Sequence, residues 1–308
     1  MINGFIRTEE LESIWAIIKN ENAQIKNYII ERNADKNLES FTELWQEQLS
    51  YRFLLHELNN TNKSTIRDIS IKVKRISNFD FNFDLITESG IVESLLKYIF
   101  HPSYDSSGGL KVGFKSEEDH ILFSENLKKG LLLIEETDPD AYVMIKHNLK
   151  AICPIYSVNP LKKGDVISLS LDYCNGVIFY SPCPFILTAE TLIHETRHNL
   201  LNLILKKVTL LKNNELKIKT PLRDDLRPML GLIHQAYVLC GLTNFYRKLT
   251  LREPYNSMEN VRKRYNLHVN DYNEARDALE TYRSNLSNEG IKFLNELIND
   301  IKKHGQVF

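Results

Sequence analysis

Cysteine is scarce in this chain: the 308 residues hold 4, at Cys153, Cys174, Cys183 and Cys240. They form no CxxC pair and no short-range framework, which excludes a zinc ribbon and a disulfide-stapled secreted scaffold and fits reduced thiols in a cytosol. Excess charge of one sign is missing too. Lys and Arg total 39 against 40 Asp and Glu, a net charge of -1, so no basic excess points to nucleic acid, and there is no acidic tail. Long apolar runs are absent. No window approaches a membrane span, and the opening "MINGFIRTEELESIWAIIKN" lacks the cationic stretch and apolar core of a targeting signal. A cytoplasmic protein without nucleic-acid or membrane partners is expected. What remains is an ordinary globular composition, 43% apolar and 26% charged, long enough for one large domain or two modest ones.

Apolar periodicity organises the chain. Leu11, Ile14, Trp15 and Ile18 follow the helical i, i+3, i+4, i+7 rule behind Thr8, a capping residue, and similar helices are expected near 40–58 and 87–100. The run "HPSYDSSGGLKVG" at 101–113 breaks the pattern, which sets an N-terminal helical region at 1–105 and a second domain at 106–308. A helix over 117–136 follows. "TDPD" at 137–140 starts another, with Asp138 as cap and Pro139 in its first turn. "DVISLSLDYCNGVIFYS" alternates about Asn175-Gly176 and predicts two antiparallel strands at 165–172 and 177–181. A second pair, "KKVTLL" and "ELKIKT", is expected about Asn213-Asn214, then a polar turn "TPLRDDLRP", a helix from Pro228 to Leu249, and a charged helical tail over 257–302 interrupted by Gly290. The expected fold is α+β and mostly helical, with N-terminal helices and a small antiparallel sheet packed on the helix described next, partly zincin-like.

That helix is "LTAETLIHETRHNLLNLIL", 187–205, which carries an HExxH motif at His194, Glu195 and His198. Residues four apart on a helix are offset by about 6 Å along the axis and about 40° around it, so both imidazoles project on one face and can bind one cation. Chance alone places such a motif in roughly two chains in a hundred of this size and composition. A surface helix with two incidental histidines is the bland alternative. Against it, Leu192, Ile193, Leu200, Leu201, Leu203, Ile204 and Leu205 are apolar on nearly every side. The helix is therefore expected to be buried, and buried imidazoles beside a carboxylate need partners.

Two histidines do not complete a metal site. The extended form HExxHxxGxxH would need Gly at 201 and His at 204, where this chain has Leu201 and Ile204, and the helix from Pro228 offers no Glu. It offers His234, in "RPMLGLIHQAYVLCGL", with Gly231 one turn earlier read as a point of close backbone approach. A lone His on an apolar helix is more often a satisfied core residue, but a two-ligand site lacking its third reverses that balance. Asp224 and Asp225 remain competing ligands. Arg223 and Arg227, in "PLRDDLRP", either belong to a solvated turn or face the pocket as bidentate carboxylate clamps. Arg197 is read as pointing away from the metal, and His120 and His147 as surface residues.

The segments "VIFYSPCPFILTAETLIHETRHNLLNLIL", "PLRDDLRPMLGLIHQAYVLCGLTNFYRKL" and "LSNEGIKFLNEL" resemble, in order over roughly 95–300, a bacterial family of HExxH-containing peptide-modification proteins found with ribosomally made, modified peptides. The pairing of HExxH with RP-x5-H carries the resemblance; the first ninety residues add nothing to it. The resemblance implies iron(II)- and 2-oxoglutarate-dependent hydroxylation at the β-carbon of residues in a precursor peptide. It matches His194 and His198 to the motif histidines, His234 to the downstream one, and Arg227 to the Arg of the RP element.

Two chemistries thus compete for one motif. An oxygenase needs three protein ligands on one face of iron, with positions left for a bidentate 2-oxo acid and O2. Arg227 or Arg223 would meet the distal carboxylate of 2-oxoglutarate, and Glu195 would orient a ligand. A zinc peptidase needs the same three ligands plus water, and Glu195 becomes the catalytic general base. Either could hold a peptide along the strand at 177–181 by strand addition. A non-catalytic peptide-binding partner in a biosynthetic complex is the third possibility.

Overall fold

The structure is a computed structural model that describes residues 8–33, 45, 46, 48, 71–78, 81–89, 110–158, 166–220 and 225–304. It is mostly helical with a small sheet, an α+β chain. The helices are α1 (Thr8–Asn33), α2 (Glu117–Thr137), α3 (Pro139–Asn148), α4 (Phe185–Leu205), α5 (Met229–Leu249), α6 (Glu259–Thr281) and α7 (Asn288–His304). The strands are β1 (Ile71–Asn78), β2 (Phe81–Ser89), β3 (Leu110–Val112), β4 (Ala151–Ser157), β5 (Ser168–Leu171), β6 (Cys174–Tyr180), β7 (Lys217–Lys219) and β8 (Leu226–Pro228). Glu12–Gly130 with Lys146–Thr191 form one compact unit; Met1–Leu11, Leu131–Ile145 and Leu192–Phe308 form the other. Among the described residues no helix is long and apolar enough to cross a membrane.

The first unit is built on a sheet ordered β1-β2-β4-β6-β5, with β3 also paired to β4. It is mixed rather than antiparallel: β2 runs parallel to β4, and β4 parallel to β6. Parallel neighbours need long crossovers, and α2 and α3 lie in the chain between β3 and β4. Interior strands covered on both faces read as continuous apolar runs, and β6 is buried at every position. Register alternates the two faces. Ala151, Cys153, Ile155, Val177 and Phe179 join Trp45 and Ile86 in one cluster, while Tyr180 packs on Phe123 of α2 at 4.9 Å between ring centroids. Because β4 and β5 flank β6, the strand at 177–181 has no open edge, and the expectation of strand addition there is overturned.

Other local expectations are corrected as well. In α1, Ile14 and Ile18 are fully buried one turn apart, as their spacing requires. The helix expected near 87–100 gives way at 87–89 to β2, which pairs with β1; its remainder lies outside the described residues, as does most of 40–58. The alternation in "IKVKRIS" and "FNFDLI" is the period-2 signal that an all-helical reading of this region passes over. The β5–β6 hairpin turns at Asp172-Tyr173, and Asn175-Gly176 sits inside β6. There Gly176 adopts φ 83, at a register shift in the pairing. Asn-Gly therefore serves a bulge rather than the turn.

In the second unit α5 lies against α6 and α7. Fifteen of its 21 residues are buried, as an all-round apolar helix demands. Asp138 caps α3 through the Ala141 amide at 3.3 Å and pairs with Lys248, near the end of α5, at 2.6 Å. The expected hairpin of "KKVTLL" with "ELKIKT" does not form. Leu211 bridges to Leu286 instead, and β7 pairs with β8, inside the presumed polar turn. The tail breaks at 282–287 rather than at Gly290, which lies in the first turn of α7 and donates its amide to Ser287 Oγ at 2.9 Å. Ser287 is thus a helix cap.

Candidate metal centre

The HExxH segment forms an unbroken helix, since α4 contains neither Gly nor Pro. Leu192, Ile193, Leu201, Leu203 and Ile204 are at most 2% exposed, and their burial, about 1.5–3 kcal/mol for each such side chain, fixes which way the helix faces. His194 and His198 consequently emerge together. Their Nε2 atoms are 3.2 Å apart, with ring centroids at 4.8 Å. Two imidazoles bound at about 2.1 Å to one ion would have nitrogens roughly 3.0–3.4 Å apart, from right-angled to tetrahedral geometry. The pair is spaced as a chelate.

His234, from the second turn of α5, comes to the same place. Its Nδ1 is 3.1 Å from His198 Nδ1, and the two rings stack at 5.3 Å between centroids. His198 is therefore the middle of three imidazoles, with one nitrogen toward each neighbour. Among the described residues no group of three or more His, Cys, Asp or Glu side chains is posed to hold one ion. The geometry gives the reason: His234 meets the far nitrogen of His198, not the one that faces His194.

Electrostatics favour the ligand state. The His198 pKa is pushed down to about 3, first by burial and then by His194, with His234 acting the same way and Glu195 opposing. A neutral imidazole is the form that binds metal. The Glu195 side chain is only 3% exposed and its Oε1 lies 3.9 Å from His194 Nε2, whereas the His194 side chain is 38% exposed. The cluster thus has one solvent-facing ring, one ring in the middle and a buried carboxylate on the His194 side.

The remaining expected residues fall elsewhere. Arg227 pairs with Asp225 at 2.9 Å, and the two side chains are exposed. Arg223 and Asp224 lie outside the described residues. His147 is exposed, and His120 stacks on Phe114 at 4.7 Å between centroids. Gly231 makes no close approach: a β-carbon there would meet nothing within 4 Å among the described residues. The close approach is at Gly241, where a β-carbon would overlap the Arg197 side chain. Arg197 reaches toward α5, donating from Nη1 to the Tyr237 carbonyl at 2.9 Å. A cation inside an apolar helix and a glycine inside another were the signals for this contact, and neither names the other.

The chain matches no family model and no curated protein at a significant level.

Proposed function

We propose that this chain is an iron(II)- and 2-oxoglutarate-dependent hydroxylase acting at the β-carbon of residues in a ribosomally made precursor peptide. The observation that carries the proposal is the contact of His198 with both His194 and His234, three imidazoles supplied by the two motifs on which the family resemblance rests. They would hold the iron. Bound iron(II) would supply the coupling of 2-oxoglutarate decarboxylation to C–H hydroxylation, with O2 consumed and succinate and CO2 released. Three neutral ligands leave the metal at +2, which matches a 2-oxoglutarate dianion. Arg227 is the residue for the distal carboxylate, because an exposed pair such as Arg227–Asp225 is worth little and yields readily to a second carboxylate. Arg223 is its alternate. Burial of Glu195 supports a role in orienting His194. A partly zincin-like layout, with the sheet packed on α4, and a cytoplasmic location belong to the same reading.

A zinc metallopeptidase is the second reading, favoured by one observation: the Glu195 carboxylate lies on the His194 Nε2 side, where a general base would stand. Anaerobic loading with iron(II), followed by 2-oxoglutarate, O2 and a precursor peptide encoded nearby, separates the two. The hydroxylase yields succinate and one added oxygen on the peptide; the peptidase yields cleavage with zinc and no succinate. Glu195→Gln leaves the hydroxylase measurable turnover and abolishes the peptidase.

A further inference from the structure

The residue Arg197 belongs to neither reading's ligand set, yet it makes three separate contacts with α5. On that helix it sits one position before His198. Its Nη1 donates to the Tyr237 carbonyl at 2.9 Å, its guanidinium carbon lies 4.7 Å from the centre of the Tyr237 ring, and its side chain fills the notch left by Gly241. His234, Tyr237 and Gly241 are spaced i, i+3, i+7 and share one face of α5. The two helices thus meet at adjacent points: Arg197 on Tyr237 and Gly241, and His198 on His234.

We infer that Arg197 is a positioning residue that sets the register of α5 against α4 and so holds the His234 ring against His198, the middle ring of the proposed metal site. The inference rests on the metal reading above. Three residues of helix span about 4.5 Å, so a slip of one turn at the Arg197 contact would carry the His234 ring away from His198. A planar cation suits the task. It binds a carbonyl in its plane and an aromatic ring across its face, two constraints that lysine cannot meet together. The notch adds a third, since a β-carbon at 241 would overlap the Arg197 side chain where it lies.

The test uses cobalt(II) as the probe, with affinity read by chelator competition and ligand geometry by the visible absorption band, and with melting temperature and far-UV circular dichroism as measures of folding. Arg197→Met weakens cobalt binding about 10- to 100-fold, the range for residues that orient ligands, while the protein stays folded. Gly241→Ala, which keeps the charge but closes the notch, reproduces the loss in part. In a His234→Ala background, Arg197→Met has no further effect on affinity, because the residue acts through His234. Unchanged cobalt affinity in folded Arg197→Met overturns the inference, and so does an equal loss in the His234→Ala background. Wild-type protein that binds no cobalt removes the metal reading itself, and wild-type binding abolished by His194→Ala and His198→Ala but indifferent to Arg197 removes the clamp alone.

Discussion

Two polar clusters lie along α5, and they differ in what satisfies them. Near its start, His234 meets His198, which in turn meets His194, three groups of one chemical kind with a ring open to solvent. Two turns further on, Cys240 and Asn244 meet Asp300 of α7, at 3.6 Å from Sγ and 2.9 Å from Nδ2, and Tyr272 of α6 donates to the Leu297 carbonyl at 3.0 Å. In the second cluster these three donors each have an acceptor and all four side chains are buried, with Asn244 Oδ1 left without a partner among the described residues. Its chemistry is held inert: the Cys240 thiol is pushed up to about 12, by burial above all, with Arg197 opposing and Asp300 adding to the rise. Matched partners in a sealed space make a structural network. Like donors in a half-open one are the arrangement that we propose as a ligand site.

The contrast predicts effects of different kinds and sizes. The largest is in binding. His198→Ala removes half of the chelating pair, and cobalt or zinc affinity falls by on the order of 100-fold or more, measured by chelator competition, with little change in melting temperature. Asp300→Ala does the reverse. It leaves Asn244 Nδ2 buried without its acceptor, and stability in denaturant falls by about 1–3 kcal/mol while metal affinity holds. Metal loss in Asp300→Ala would erase the distinction between the clusters.

The third effect is in pH dependence. The His198 pKa is lowered in the fold to about 3, so below the unfolded value of about 6.5 the unfolded chain binds a proton that the folded chain refuses. Stability of the metal-free protein therefore drops as pH falls from about 6.5 toward 3, and rises with pH across that window. His198→Gln flattens the slope between about pH 6.5 and pH 5 in urea titrations; Cys240→Ala leaves it unchanged. The smallest effect concerns the exposed Arg227–Asp225 pair. Asp225→Ala shifts stability by less than about 0.5 kcal/mol, while Arg227→Met raises the KM for 2-oxoglutarate if the hydroxylase reading holds.

Legibility followed the range of the interactions. Helices α2, α4 and α5 begin and end, and α3 begins, near the positions that periodicity and caps indicate, Asp138 included, because those signals act within a turn or two. Misreadings came where one local signal serves two structures. Asn175-Gly176 carries the left-handed conformation needed either by a hairpin turn or by a bulge, and the pairing of β6 with both β4 and β5 selects the bulge. Gly231 and Gly241 look alike in an apolar helix, and only the arrival of Arg197 tells them apart.

For the site itself, spacing alone settles that His194 and His198 share a face, since four residues return a helix nearly to the same azimuth. That His234, 36 residues further on, lies against the middle ring is decided by the packing of α5 on α4, because an intervening chain of that length imposes no direction of its own. The side from which its nitrogen arrives is likewise a property of the packed helices.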